Sequence, residues 1–490
     1  MRTDSPIPYS TAFKSFAFLS SVLSARALSM IVQVVGKRII LAKESEHLSA
    51  TFSDYSGFEN AIYTFVFASQ SILSVLVSHA NAEPGRDPTI LGFVFRRGLV
   101  FSAIFTGVAG VACLIAPLVF RVMQQPKQIV EGSQAFFAIS FAAYLFDFLY
   151  RCYANFLIGL SLSVPALAGD VCQGALDLFF TYVFVMGGFG CAKMGVNGAV
   201  LAYVIAAATS CLGISLYFRF VKKELRDYHL FSFSEGFSWA ETKKMIGNGF
   251  PVGLSNTIEF AAQMLVTFYC GLSGDAALMG IQAAASYSIF VTYITEAIGE
   301  AASVKIGEYK DNPALARFIG TINIAVCFSL SSLSALFLFL FSEPYANLFV
   351  SSSDAPDDHK IVIQFSRIQA GIEIFNALRT AFTMNLMGSL DTRAPSIINI
   401  ACVFFLNVLL ATIAQFGMHE KPVIMYGTQA IGYMAATLGV GALWFAPKQV
   451  TSAARCLFPC FFRSENYEVV PTDDLDDDES QKNAHATAYA

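Results

Sequence analysis

The sequence predicts an all-α polytopic membrane protein with twelve transmembrane helices in two six-helix lobes, related by a parallel pseudo-two-fold axis. Apolar runs of membrane-spanning length recur along the 490 residues almost without pause. Composition agrees, because 55% of residues are apolar and only 14% charged, where a soluble domain carries about 25% charge. The two halves also repeat one another. Arg151, Gly159 and Pro165 recur as Arg379, Gly388 and Pro395, Phe120 as Phe349, and Asp177 as Asn407, all at offsets of 228 to 230.

In chain order the spans fall near 16–36, 58–79, 92–119, 134–158, 164–187 and 195–220. A second set follows near 246–271, 276–303, 317–341, 361–388, 395–416 and 425–446. Each is read as a helix, since an open strand in lipid leaves backbone groups unpaired. The first apolar run is too long for a cleaved signal and lacks a small-residue cleavage site, so it is expected to be retained. Arg26 lies inside it. Six spans per half is an even number, so both halves start on the same membrane side and the repeat is parallel. With the N-terminus in the cytoplasm, cytoplasmic segments hold 19 Lys and Arg and the opposite side 8, which favours that orientation.

The expected organisation is a cytoplasmic N-terminus (1–15), an N-lobe (16–220), a cytoplasmic linker (221–245), a C-lobe (246–446) and a disordered acidic cytoplasmic tail (447–490). The tail carries most of the net charge of −5, and the body is near neutral. Seven of the ten cysteines (Cys113, Cys152, Cys172, Cys211, Cys270, Cys327 and Cys402) sit in apolar runs as free thiols. His47, His79, His229, His359 and His419 fall in predicted connections. With no CxxC pair, no metal site is expected. No phosphate-binding loop or nucleophile elbow is present, so the chain is not expected to be an enzyme. Neither a nucleic-acid partner nor a cofactor is expected; a monomer in the lipid bilayer is.

Ionisable residues at bilayer depth cost roughly 2.5–3.5 kcal/mol each by insertion scales and therefore mark working parts. Here they are Asp147, Asp170, Asp177, Glu259, Glu296, Glu300 and Glu373. Glu259 lies eight residues after Pro251, about two turns into the seventh span. It is expected to be a lone carboxyl that carries a proton or a cationic substrate, the alternative being a packing carboxyl bonded to Asn256. Glu373, Asn376 and Arg379 share one helix face, and a Glu373–Arg379 pair is the structural alternative there. Asp147 and Arg151, four apart, are expected to pair. Glu296 and Glu300 are either a gate or, as expected, a solvated helix end.

Three segments resemble the multidrug and toxin extrusion (MATE) family of antiporters. Residues 249–263, with Pro251 and Glu259, resemble its seventh helix. The run 301–307, AASVKIG, is similar to its Ala-Ser-Val-Arg-Val-Gly signature. Residues 375–395, with Gly388, Asp391, Thr392 and Pro395, resemble its tenth helix and following turn. The resemblance implies a twelve-helix exporter of organic cations, drugs or metabolites, driven by H⁺ or Na⁺ in a plasma or bacterial inner membrane. Glu259 would serve coupling or substrate binding, with Glu373, Asn376 and Asp177 at neighbouring family positions. The family's first-helix Asp is replaced here by Val35-Gly36-Lys37, and its tenth-helix Asp by Asn376. A lone carboxyl favours H⁺ over Na⁺, which needs several oxygens. Two other classes stay open: a flippase of lipid-linked saccharides, using Arg26, Arg151, Arg367 and Arg379, and a membrane transferase or receptor.

Overall fold

The computed structural model describes residues 7–83, 88–122, 124, 126–221, 225, 228, 230, 238–272, 274–350, 355–417 and 422–446. The acidic tail and most of the 221–245 linker lie outside them. Twelve long helical segments follow in order, with a short helix (Ser342–Ala346) between the ninth and tenth. They are α1 (Tyr9–Glu44), α2 in two pieces (Glu46–Gln70 and Ile72–Ala82), α3 (Pro88–Val122), α4 (Lys127–Gly159), α5 (Val164–Met186) and α6 (Gly195–Leu216). The second lobe holds α7 (Trp239–Gly271), α8 (Asp275–Glu308), α9 (Pro313–Leu340), α10 (Pro356–Gly388), α11 (Arg393–Asn399, continued to Gly417 by π-helical turns on either side of an α-helical stretch at Asn407–Thr412) and α12 (Pro422–Phe445).

Among the described residues, nine of these segments are long and apolar enough to cross a membrane on their own. The other three, α5, α7 and α10, hold Asp170 and Asp177, Glu259, and Glu373. Polar residues needed inside the bundle lower their hydropathy. Several starts are set by local chemistry. Ser45 Oγ accepts from Leu48 N at 3.0 Å and Asn312 Oδ1 from Leu315 N at 3.1 Å, each capping a helix. Proline occupies the first turn of α5, α9 and α10, where its missing N–H is no loss.

The sequence repeat is a repeat of structure. Helices α4 and α10 are both 33 residues long and end on Gly159 and Gly388. A Cβ on Gly159 would lie 2.4 Å from the Ser74 carbonyl, and one on Gly388 2.8 Å from the Ser303 carbonyl. Ser74 and Ser303 are themselves 229 apart. The following turns match too, with left-handed φ of 60° at Ser161 and 62° at Leu390.

The lobes meet along α1 against α8 and α2 against α7. On the half nearest the 221–245 linker they are tied by polar contacts. His79 Nε2 bonds the Gly388 carbonyl at 2.8 Å. Lys305 Nζ donates to Ser161 Oγ at 2.9 Å and to Glu308 Oε2 at 2.7 Å. Lys310 pairs with Glu83 at 3.5 Å. His79 therefore lies in the last turn of α2, His47 within α2 and His359 in the first turn of α10, not in connections. The expected spans were too short at these ends.

Close backbone approach in this seam requires glycine. A Cβ on Gly253 would lie 2.0 Å from Ser69 Oγ and 2.4 Å from the Phe65 carbonyl. Gly253→Val is therefore expected to lower stability by about 1–3 kcal/mol through overpacking. Thermal unfolding in detergent measures it, and an unchanged midpoint would mean the seam can part without loss.

Candidate functional site

Interior charges gather in both lobes. In the N-lobe, Arg26 bonds Asp170, and Arg151 Nε lies 3.5 Å from Asp147 Oδ2. Arg151 Nη1 also reaches Asp170 at 3.7 Å. Gln173 Nε2 donates to Asp147 Oδ1 at 2.8 Å. Arg151 thus joins two carboxylates, more than the expected Asp147–Arg151 pair. Asp177 is held by Lys37 at 2.8 Å and by Gln33 Nε2 at 2.8 Å. Helix α1 continues to Glu44, well past the expected end of the first span, so Lys37 points into the bundle. Glu59, on α2, accepts from Ser140 Oγ at 3.1 Å.

In the C-lobe, Arg379 Nη2 donates to Glu259 Oε1 at 2.8 Å and to Asn376 Oδ1 at 2.7 Å. The Tyr433 hydroxyl donates to the same Glu259 oxygen at 3.0 Å. Asn376 Nδ2 donates onward to Thr292 Oγ1 at 3.1 Å. Glu259 is therefore not the lone carboxyl expected, and Arg379 does not pair with Glu373. The reason is geometric: Arg379 projects from α10 toward α7, while Glu373 projects toward α8 and its own preceding turn. Glu373 is fully buried, and its Oε1 accepts from Ser288 Oγ and, at 2.5 Å, from Gln369 Nε2. The Tyr426 hydroxyl donates to Gln369 Oε1. Glu373 Oε2 is buried with no hydrogen-bond partner.

Glu296 and Glu300 do not form a solvated helix end. Helix α8 runs on to Glu308, and both carboxyls are within electrostatic reach of interior charges. The charges of Glu259 and Arg379 act on Glu296, and those of Arg26, Arg151 and Asp170 act on Glu300 across the lobe boundary.

A count by partner separates the carboxyls into two groups. Asp147, Asp170, Asp177 and Glu259 are ion-paired. Glu59, Glu296, Glu300 and Glu373 form no salt bridge among the described residues, while Arg26, Lys37, Arg151 and Arg379 all have one. The interior therefore holds four carboxyls beyond its paired cations. Sequence reading missed Glu59 and Lys37 because each lies at the edge of an expected span. The Gln369–Glu373 contact was signalled by its four-residue spacing on one helix face.

The family model described as MatE matches residues 251–413, which carry Glu259, Glu296, Glu300, Glu373 and Arg379. A probable multidrug resistance protein NorM from Bacillus licheniformis is 26% identical over 272 residues, covering 54% of this chain and 58% of that relative. The chain thus spans under two thirds of that relative. A probable NorM from Pseudomonas aeruginosa is 22% identical over 448 residues, 88% of this chain and 89% of the relative. The crystal structure of the eukaryotic MATE transporter AtDTX14 superposes with a TM-score of 0.79 at 17% identity, covering 92% of this chain and 99% of that one. The second lobe carries the MatE match, and the fold is that of the MATE transporters. The chain is an integral multi-pass membrane protein with the two-lobed, twelve-helix fold of those transporters. These two relatives are described as probable multidrug resistance proteins.

Proposed function

We propose that this protein is a MATE transporter, a cation-coupled antiporter that exports small organic cations by alternating access, as a monomer, with H⁺ as the coupling ion. The observation that carries this reading is the set of interior carboxyls without a cation, Glu373 foremost. A carboxyl kept from water and from any base favours its neutral form. Such a group takes a proton from one side and surrenders it when a cation or water enters. The groups around Glu373 Oε1 argue against Na⁺ there. Ser288 Oγ and Gln369 Nε2 both donate to it, whereas a hard cation needs several oxygens presented to it.

Orientation and state belong to the same reading. With both termini in the cytoplasm of a cell bearing this protein in its plasma or inner membrane, the tied seam at His79 and Lys305 faces inward. The lobes are then in an outward-facing arrangement, and rocking them apart at that seam would open the inward face. The flippase alternative calls for a free cationic cavity. Arg26, Arg151 and Arg379 instead bond Asp170, Asp147 and Glu259, while Arg367 donates to Ser342 Oγ at 3.1 Å. A transferase reading loses its Glu296/Glu300 pair, which lies about two to three turns inside the end of α8 among interior charges.

The test is ethidium transport by purified protein in vesicles. An imposed pH gradient is expected to drive ethidium movement with no Na⁺ present. A response to a Na⁺ gradient alone would end the proton reading, and no response to either would end the antiport reading.

A further inference from the structure

A small chamber of mixed polar and apolar lining lies in the linker-side half of the C-lobe, between α7, α8, α10 and α11. Ser255, Asn256, Glu296, Arg379, Thr383 and Asn399 are among its lining residues. It leaves about 30 Å³ for the centres of water molecules, room for on the order of two at 10–15 Å³ each. That is far too little for an organic cation. Four buried polar atoms without a protein partner belong to lining residues: Arg379 Nε, Thr383 Oγ1, Thr392 Oγ1 and Asn399 Oδ1. Buried polar atoms are satisfied as a rule, and a dry chamber would leave all four unpaired at once. Water, which donates and accepts, satisfies such a mixed set.

The chamber has a direction. Arg379, Thr383 and Met387 follow one another at four-residue steps along one face of α10 and all line it. From Arg379 to the helix end at Gly388 is nine residues, about 13 Å. Just beyond, in the α10–α11 turn, Asp391 Oδ1 is also buried without a partner, and burial pushes the Asp391 carboxyl up to about 6. At the inner end stand Glu296 and the Glu259–Arg379 pair.

We propose that this chamber holds a short water chain beside Glu296 and Arg379, and that this water, with the Thr383 and Thr392 hydroxyls, is the route by which protons pass between the C-lobe carboxyls and the linker-side surface. The inference rests on the proton-exchange reading above. It adds a site for water and two residues, Thr383 and Asn399, whose role is to hold that water.

Two measurements test it. Radiolytic footprinting of the detergent-solubilised protein in H₂¹⁸O reports bound water beside buried methionines. Met387, which lines the chamber and is 1% exposed, is expected to take up label several-fold above Met425, which is 0% exposed and lines no part of it. In Thr383→Val/Asn399→Leu, Met387 labelling is expected to fall to the Met425 level while thermal unfolding stays cooperative. The same variant in vesicles is expected to slow pH-driven ethidium exchange about tenfold. If Met387 is labelled no more than Met425 in the wild type, the water chain is overturned. If labelling behaves as expected but exchange keeps its wild-type rate, or if the variant fails to fold and Thr383→Val alone leaves the rate unchanged, the route is overturned. A wild type that ignores the pH gradient overturns the exchange reading and the route with it, while Met387 still reports whether the chamber is wet.

Discussion

Glu373→Gln is expected to reduce pH-driven cation exchange at least tenfold while the protein folds and inserts normally. The substitution keeps the size of the side chain, and the amide oxygen can still accept from Ser288 and Gln369. No cation loses a counter-charge, since Glu373 has no salt bridge among the described residues. Stability should therefore stay within about 1 kcal/mol of the wild type. What the variant lacks is a titratable group. Ethidium flux in vesicles across an imposed pH gradient, with thermal unfolding as the control, measures both halves. Unchanged flux would remove Glu373 from the coupling.

Glu259→Gln is expected to act differently, through stability. It removes the one ion pair of the buried Arg379 guanidinium, leaving Asn376 and Tyr433 in contact and Glu296 as the remaining carboxyl within electrostatic reach. Breaking a buried pair from one side costs about 3–5 kcal/mol, whereas replacing both charges by apolar groups is often tolerated. Glu259→Gln should unfold well below the wild type, and Glu259→Leu/Arg379→Met should regain most of the loss. Unfolding midpoints of the single and double variants decide it. A stable Glu259→Gln that fails only in transport would make Glu259 the working carboxyl and Arg379 its modulator.

The contrast between these two carboxyls marks how far the sequence could be read. The twelve segments, the two lobes and the repeat were legible, because hydropathy and a constant offset are properties of the chain itself. So was the Asp147–Arg151 contact, which local helix geometry sets. The partner of Arg379 was not, since Glu259 lies 120 residues away on another helix. Periodicity says that two residues share a face, not which helix that face meets. Lys37 and Glu59 were hidden for a simpler reason: α1 and α2 run almost into one another at Ser45, so residues near the expected span edges lie inside the bundle. The chamber beneath Arg379 had no sequence signal, because its polar atoms come from four helices.

The central claim is that a carboxyl with no base beside it exchanges its proton for an organic cation. Proton release on ligand binding tests it most directly. Ethidium added to detergent-solubilised protein in weak buffer near neutral pH should release about one proton per bound cation, and Glu373→Gln should bind with no such release. Equal release from the variant, or binding to the wild type without any release, would contradict the account.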